Sequence, residues 1–177
     1  QQVFAAGESD VFLAKYNSSG NLQWVQTGGG IFEDKATAID VDYHGNIFIA
    51  GYFQGLASFQ GNTVNGSGSE DAFVAQYSSS GNLEWIASGG GLSPDRATGV
   101  SSSISGDIIV TGTFQNTANF GSFNTTSQGG DDVFVAIFNR YGQIQSLYSF
   151  GGSNDDTPAG VTTDEAGNIF LAGNFNG

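Results

Sequence analysis

The feature of this sequence that most limits its possible folds is a repeat with a period of 61 residues. The twelve residues SGNLQWVQTGGG at 19–30 return as SGNLEWIASGGG at 80–91. The same spacing relates the phrases DVFLAKY, DAFVAQY and DVFVAIF, which begin at Asp10, Asp71 and Asp132. A fixed period of this kind is typical of repeat proteins, in which each unit buries its apolar faces against its neighbours. The sequence therefore predicts one structural unit repeated along the whole chain.

One copy of the repeat contains four segments with the two-residue alternation typical of β-strands. We expect strands at residues 36–42, 46–53, 71–77 and 83–88, in an antiparallel meander. Gly45 suits a tight hairpin turn between the first two, since glycine adopts a positive φ without strain. A long loop rich in Gly, Asn and Ser separates the second strand from the third. The high glycine content, 28 of 177 residues, also favours short strands over helices.

The second and third strands are apolar on both faces, since Ile47 and Ile49 alternate with Phe48. A sheet with one wet face would alternate apolar and polar residues instead, so both faces must be covered by neighbouring sheets. Four-stranded antiparallel sheets stacked in this way are the blades of a β-propeller, and an all-β propeller is the predicted fold class. Trp24 and Trp85 on the fourth strand are then expected to pack between blades. Small residues recur on the first strand, as the innermost strand near an axis requires: Ala38, Gly99 and Gly160.

This pattern divides the chain into four parts. Residues 1–27 form a half blade, 28–88 and 89–149 form two complete blades, and 150–177 form a second half blade. The half blades are complementary, because the first supplies strands three and four and the last supplies strands one and two. Propellers usually close with about four to eight blades, so either the chain is part of a larger propeller or two chains close one ring. Its expected partners are other protein chains or the remaining blades of the same propeller.

The order of these phrases resembles the SBBP β-propeller repeat family of secreted and cell-surface bacterial proteins. The resemblance rests on the segments 10–16, 20–24, 28–29 and 34–53, and it extends over essentially the whole chain. It implies a surface-exposed interaction or scaffold module, and it implies no catalytic residues.

Composition excludes several partners. The formal net charge is −13 with only 4 Lys plus Arg, which leaves no basic surface for nucleic acid or anionic lipid. No apolar run approaches the roughly 18 to 20 residues that span a bilayer, so we expect no membrane insertion. The absence of cysteine excludes disulfides and thiolate chemistry. A weakly charged surface rich in Asn, Ser, Thr and Gly is common in secreted bacterial proteins, and we expect a secreted or cell-surface location.

The loops that lead from the fourth strand of one copy into the first strand of the next carry the candidate partner-binding residues. An Asp holds the same place in each loop while the residues around it vary, as is usual for recognition loops on a rigid scaffold. The candidate site residues are Phe32, Glu33, Asp34, Lys35, Pro94, Asp95, Arg96, Asp155 and Asp156. The alternative interpretation is structural, with each repeated carboxylate accepting backbone N–H bonds and fixing the crossing between blades.

A calcium site competes with a plain hairpin turn at residues 40–46, because calcium takes closely spaced carboxylate and carbonyl ligands. The other copies replace Asp40 and Asp42 by Ser101 and Ser103 or by Thr162 and Asp164, so the turn is favoured. We expect no cofactor, with Ca²⁺ as the alternative. The strand-entry residues are interpreted as caps: Asp10, Asp71 and Asp132.

The predicted function is that of a non-enzymatic structural or protein-interaction module. His44, the only histidine, falls at a predicted turn tip, whereas a hydrolase or a histidine metal site would need it buried beside its partners. The alternative is a carbohydrate-binding, lectin-like propeller with a surface glycan as partner. A lectin of that kind would repeat one aromatic and polar trio in every copy, whereas a protein-binding module would use a single non-repeating patch.

Overall fold

The computed structural model describes residues 3–176, and this part of the chain is all-β. The alternating segments fold as extended strands joined by tight turns. The strands in chain order are β1 (Val11–Tyr16), β2 (Leu22–Gly29), β3 (Lys35–Val41), β4 (Ile47–Phe53), β5 (Leu56–Phe59), β6 (Asn62–Asn65), β7 (Asp71–Tyr77), β8 (Leu83–Gly89), β9 (Arg96–Ser102), β10 (Ile108–Phe114), β11 (Thr117–Phe120), β12 (Phe123–Thr126), β13 (Asp132–Phe138), β14 (Ile144–Phe150), β15 (Thr157–Thr163) and β16 (Ile169–Asn174).

Two complete four-stranded antiparallel sheets occupy the middle of the chain. The first full sheet has the order β3-β4-β7-β8, and the second full sheet has the order β9-β10-β13-β14. A leading half-sheet, β1–β2, precedes them, and a trailing half-sheet, β15–β16, follows them. The predicted all-β class of four-stranded antiparallel sheets is confirmed, and the arrangement is consistent with β-propeller repeats.

The sheets pack face to face through two separate apolar clusters. Phe48 of the first full sheet contributes to a cluster shared with Ile108 and Phe134 of the second. Its neighbour Ile49 points the other way, into a cluster shared with Leu13 of the leading half-sheet. Every residue of β4 and of β10 is buried. The expectation that strands two and three are covered on both faces is therefore correct.

The first strands of successive sheets lie side by side. β9 packs against β3 on one side and β15 on the other. The Oγ1 hydroxyl of Thr37 donates to the carbonyl oxygen of Ala97 at 2.6 Å, and that of Thr163 donates to Ser102 at 3.0 Å. This close approach explains the small residues predicted for the innermost strand.

The segment between the second and third strands was expected to be a long loop, and it instead contains a hairpin in each full copy. In the first copy the hairpin is β5–β6, and β5 pairs with β2 of the preceding sheet through Gly28–Phe59 and Gly29–Ser58. In the second copy β11–β12 takes the same place, with a bridge between Gly90 and Asn119. Strands of four residues are too short for alternation to stand out, but Phe59 and Phe120 are buried and anchor the hairpins.

The repeated tryptophans pack between sheets, as expected. The indole of Trp85 lies near Phe48 of its own sheet and Phe138 of the next, with ring centroids 6.4 and 6.5 Å away. Its Nε1 donates to the carbonyl oxygen of Arg140 in the β13–β14 turn at 3.1 Å. Gly142 closes that turn with φ 75°, and a Cβ there would lie 2.6 Å from the indole. The turn glycine is thus required by both conformation and space.

The leading and trailing half-sheets each leave an apolar face exposed. Phe12 of β1 is 68% exposed and Phe170 of β16 is 54% exposed, whereas their counterparts Phe73 and Phe48 in the first full sheet are buried. β1 and β16 each have a free edge. Edges and apolar faces of this kind normally require a partner.

Candidate functional site

The strand directions create two distinct ends of the fold. The loops at residues 30–35, 91–96 and 152–157 lie at one end, which we call the loop surface. The five-residue turns between strands one and two and between strands three and four lie at the other, because every strand runs from one end to the other. The predicted partner-binding residues all fall on the loop surface.

A buried carboxylate organises each loop of the loop surface. The side chains of Asp34, Asp95 and Asp156 are at most 1% exposed. In each, Oδ2 accepts the backbone N–H of the glycine four residues earlier, at 2.6 to 2.7 Å. Oδ1 accepts a second backbone N–H at the end of the neighbouring second strand: Gln54, Gln115 and Asn176. The structural interpretation of these three residues is confirmed, and they shape the loop surface from inside.

A second set of carboxylates lies beside the first. The Oδ2 atoms of Asp10, Asp71 and Asp132 accept the backbone N–H four residues earlier, at 2.6 to 2.9 Å, which confirms their interpretation as caps. At the first two junctions their other oxygens face the loop aspartates across a glycine. A Cβ at Gly29 would lie 2.6 Å from Oδ1 of Asp10 and 2.9 Å from Oδ2 of Asp34, and a Cβ at Gly90 would meet Oδ1 of Asp71 and lie 2.9 Å from Oδ2 of Asp95. These two junctions between sheets therefore each hold two adjacent carboxylates.

Burial raises the pKa of three of these carboxylates. The pKa of Asp95 is raised to about 7, because desolvation and the charge of Asp71 outweigh the lowering effect of the N–H bonds from Gly91 and Gln115. Desolvation also raises the pKa of Asp34, with Asp10 as the neighbouring charge. The pKa of Asp71 is raised by burial as well. The junction that contains Asp71 and Asp95 therefore favours a protonated Asp95 at a higher pH than an exposed carboxylate would.

Around this frame the exposed part of the loop surface is apolar and charged. Ile31 is 69% exposed, Leu92 is 86% exposed, and Phe32 is also exposed. Pro94 is half-buried, and Asp155 is exposed and accepts the backbone N–H of Asp131 at 3.0 Å.

The ring of Tyr52 lies among the charged candidate residues of the first two loops. Lys35 Nζ lies 5.8 Å and the guanidinium of Arg96 5.5 Å from its ring centroid. Lys35 forms an ion pair with Glu33 at 2.7 Å, and Arg96 forms one with Glu70. Lys35 lowers the pKa of Glu33. The structure thus brings Glu33, Lys35 and Arg96 together.

Tyr52 and Glu70 of this cluster were missed by the sequence reasoning. The signal was present, because Tyr52 stands where the other copies have Thr113 and Asn174. A residue at the end of a sheet that differs from its counterparts in the other copies marks a part of the surface that is not repeated.

The opposite end carries a cleft of about 420 Å³ between the first and second full sheets, which we call the hairpin cleft. Its lining combines aromatic and polar side chains from three turns and the adjoining strands. The lining includes Tyr43, His44, Gln76, Glu84, Trp85, Arg140 and Tyr141.

His44 lies at the turn tip that the sequence predicted, exposed and with its ring 3.8 Å from that of Tyr43. Asp42 closes the turn by accepting the backbone N–H groups of His44 and Asn46 at 2.9 and 2.8 Å. Asp40 instead accepts from Ser102. These bonds confirm the plain hairpin turn at residues 40–46.

Within residues 3–176 no group of three or more His, Cys, Asp or Glu side chains has an arrangement that could hold a metal ion. In the same part of the chain no helix is long and apolar enough to cross a bilayer.

Comparison with known proteins supports the family resemblance. The family model described as SBBP, beta-propeller repeat, matches residues 146–177. The chain is 28% identical over 166 residues to the regulatory protein FlaEY of Caulobacter vibrioides, covering 89% of this chain and 17% of that protein. It is 25% identical over 170 residues to an uncharacterized WD repeat-containing protein of Acanthamoeba polyphaga mimivirus, covering 81% of this chain and 12% of the viral protein. The chain therefore spans less than a fifth of the length of either relative.

Proposed function

We propose that this chain, whose last 32 residues match the SBBP beta-propeller repeat, is a β-propeller segment with a 61-residue repeat that acts as a non-enzymatic protein-interaction module at the cell surface or outside the cell. Both relatives support a role in interaction, since one is named a regulatory protein and the other a WD repeat-containing protein. Neither a cofactor nor a catalytic group is required for such a role.

The observation that carries this proposal is the exposed apolar group on the loop surface. Ile31 and Leu92 occupy the same position of the repeat, and both project from loops that buried carboxylates hold in place. Arg96 in the second loop, a residue type enriched at the centres of protein interfaces, lies over the ring of the buried Tyr52. A rigid frame lowers the entropy lost on association, so this surface is prepared for binding.

The absence of catalysis in this proposal rests on how the acids are used. The loop carboxylates each accept two backbone N–H bonds, one on each oxygen, so they serve to hold the loops. The caps at strand entry accept backbone N–H bonds on Oδ2. His44 lies at the other end of the fold, away from these acids.

We infer that the free edges are covered by a further copy of the same repeat. In the full sheets Gly51 pairs with Phe73 and Gly112 with Phe134. By the same register Gly173 of β16 would pair with the residue that replaces Phe73 in another copy. Such strand addition satisfies the edge and buries the exposed faces together.

The test of the partner surface uses residues that the repeat itself supplies. Ser153 holds the position of Ile31 and Leu92 in the third loop, so the double variant Ile31→Ser, Leu92→Ser removes the apolar group with a tolerated residue. Wild-type protein, this variant and a Tyr148→Ala control are used to capture proteins from the extracellular and envelope fractions of the producing cells. We expect at least one protein to bind wild type and control but not the double variant. Identical captured sets for all three would overturn the proposed surface.

A further inference from the structure

We propose that the hairpin cleft is a binding site for a neutral saccharide. This inference is independent of the loop surface, because the cleft lies at the opposite end of the sheets. It also differs from a repeated lectin site, since Tyr43, Arg140 and Tyr141 have no counterpart of the same type in the other copies.

Two exposed aromatic rings flank the cleft. Tyr43, from the β3–β4 turn, is 73% exposed, and Tyr141, from the β13–β14 turn, is 70% exposed. The Tyr43 ring lies against His44, and the guanidinium of Arg140 lies 5.8 Å from the ring centroid of Tyr141. Tyrosine offers a flat apolar face together with a hydroxyl, which matches the apolar C–H face and hydroxyl edge of a pyranose.

The lining of the cleft also includes an indole that is held in place by hydrogen bonds. Nε1 of Trp85 donates to Oε1 of Gln76 at 2.7 Å and to the Arg140 carbonyl oxygen at 3.1 Å. The amide nitrogen of Gln76 has no partner among the described residues, so it is free to donate to a ligand. A volume of about 420 Å³ falls within the usual range of small-molecule sites.

The charges of the cleft argue against an anionic ligand. Glu84 and Arg140 both line it and, within the described part of the chain, form no ion pair with each other. Asp42 also lines the cleft, and its carboxylate is held in its turn by three hydrogen bonds, including one from Asn46 Nδ2 at 2.8 Å. Two carboxylates against one guanidinium leave a net negative charge, which opposes an anion. Glu84 and Arg140 together offer hydrogen-bond acceptors and donors to the hydroxyl groups of a neutral ligand.

The other copies lack this combination. At the positions of Arg140 and Tyr141 the preceding copy has Ser79 and Ser80, and at the position of Tyr43 the next copy has Ile104. Trp24 is retained, with its Nε1 donating to the Ser79 carbonyl oxygen at 3.3 Å. The chain therefore offers one complete saccharide cleft and one natural control site with the indole alone.

The experiment is an NMR titration that follows the two indole N–H signals. The probes are glucose, cellobiose, maltose and N,N′-diacetylchitobiose at millimolar concentrations, and tetralysine as a cationic comparison. We expect at least one saccharide to shift the Trp85 signal in a saturable way while the Trp24 signal stays in place. The Tyr141→Ser variant, which takes the residue of the other copies, should weaken binding at least 10-fold. Tyr148→Ala, which removes an exposed tyrosine outside the cleft, should leave it unchanged.

The controls separate binding from folding. The dispersion of the amide spectrum shows whether Tyr141→Ser remains folded, and an exposed residue in a turn gives no reason to expect otherwise. If no saccharide shifts the Trp85 signal, or if both indoles shift equally, the proposal is overturned. A shift with tetralysine alone would overturn it in favour of a basic peptide site.

Discussion

Replacing Asp95 with Asn should remove a large part of the fall in stability that the wild-type protein shows as the pH rises. The Asp95 side chain is fully buried, and desolvation raises the pKa of its carboxyl from 3.8 to about 7. One pKa unit corresponds to about 1.4 kcal/mol, so the whole shift corresponds to roughly 4 kcal/mol. Integrated over the titration, roughly 2 to 3 kcal/mol of this is lost between about pH 5 and about pH 8.

Stability should fall as the pH rises because the pKa of Asp95 is shifted upwards in the folded state. Because the pKa is higher in the folded state, the folded protein keeps a proton that the unfolded chain releases. The stabilisation is complete below the unfolded value of 3.8 and is lost as the pH rises through about 7. The free energy of unfolding should therefore decrease from pH 5 to pH 8. Asp34 and Asp71, whose pKa values are also raised by burial, add to the decrease with the same sign.

The assay is urea unfolding followed by circular dichroism at the two pH values. Between these pH values the free energy of unfolding of Asp95→Asn should fall by roughly 2 to 3 kcal/mol less than that of wild type. Asp164→Asn is the matched control, because hydrogen bonds from Asn168 lower the pKa of Asp164 and place its titration below the tested range. If Asp95→Asn keeps the full wild-type difference, the carboxylate does not carry the proton that the structure assigns to it.

Two further predictions concern the turn glycines and the free edges. Gly142→Ala should destabilise the fold by about 2 to 5 kcal/mol in urea unfolding, since the left-handed conformation costs about 1 to 2 kcal/mol and overpacking against Trp85 adds about 1 to 3 kcal/mol. Gly20→Ala, at the same turn position with φ 78° and no atom within 4 Å of a Cβ, should show only the first cost, and equal effects would contradict the contact. By light scattering the protein should have about twice its chain mass of 18.3 kDa, because β16 of one chain can pair with β1 of another. Phe170→Asp should abolish this association, and a wild-type monomer at micromolar concentration would count against the inferred pairing.

Most of the sheet framework could be predicted from the sequence because its strands are long and buried on both sides. β4 is buried at all seven positions and β7 at six of seven, with apolar side chains on both faces, which only stacked sheets explain. The hairpins β5–β6 and β11–β12 could not be predicted, since four residues carry too little pattern. Their stability comes from Phe59 and Phe120 in the core and from pairing with the preceding sheet, both of which are long-range contacts.

The buried aspartates that hold the candidate site could be predicted from the sequence, whereas the exposed residues around them could be predicted less fully. The repeat identified Asp34, Asp95 and Asp156 as equivalent, and a short acceptor in a crossing loop implies bonds to backbone N–H groups. The pairing of Asp71 with Asp95 was not foreseen, because the two approach each other only when consecutive sheets are stacked. The hairpin cleft was missed for a similar reason. Tyr43 and Tyr141 are 98 positions apart and meet only across a sheet junction.

The charge distribution indicates which part of the loop surface is free to bind a partner. Against a net charge of −13 the chain has four cations, and two of them, Lys35 and Arg96, are already paired with Glu33 and Glu70. These ion pairs can give little further attraction, because a new charged partner would have to replace an existing one. The contacts that remain available to a partner are therefore those of the apolar residues at the loop tips. The negative charge of the rest of the chain attracts a basic partner from a longer distance. A partner with an apolar pocket and a basic rim fits both features, and its association should slow as salt is added.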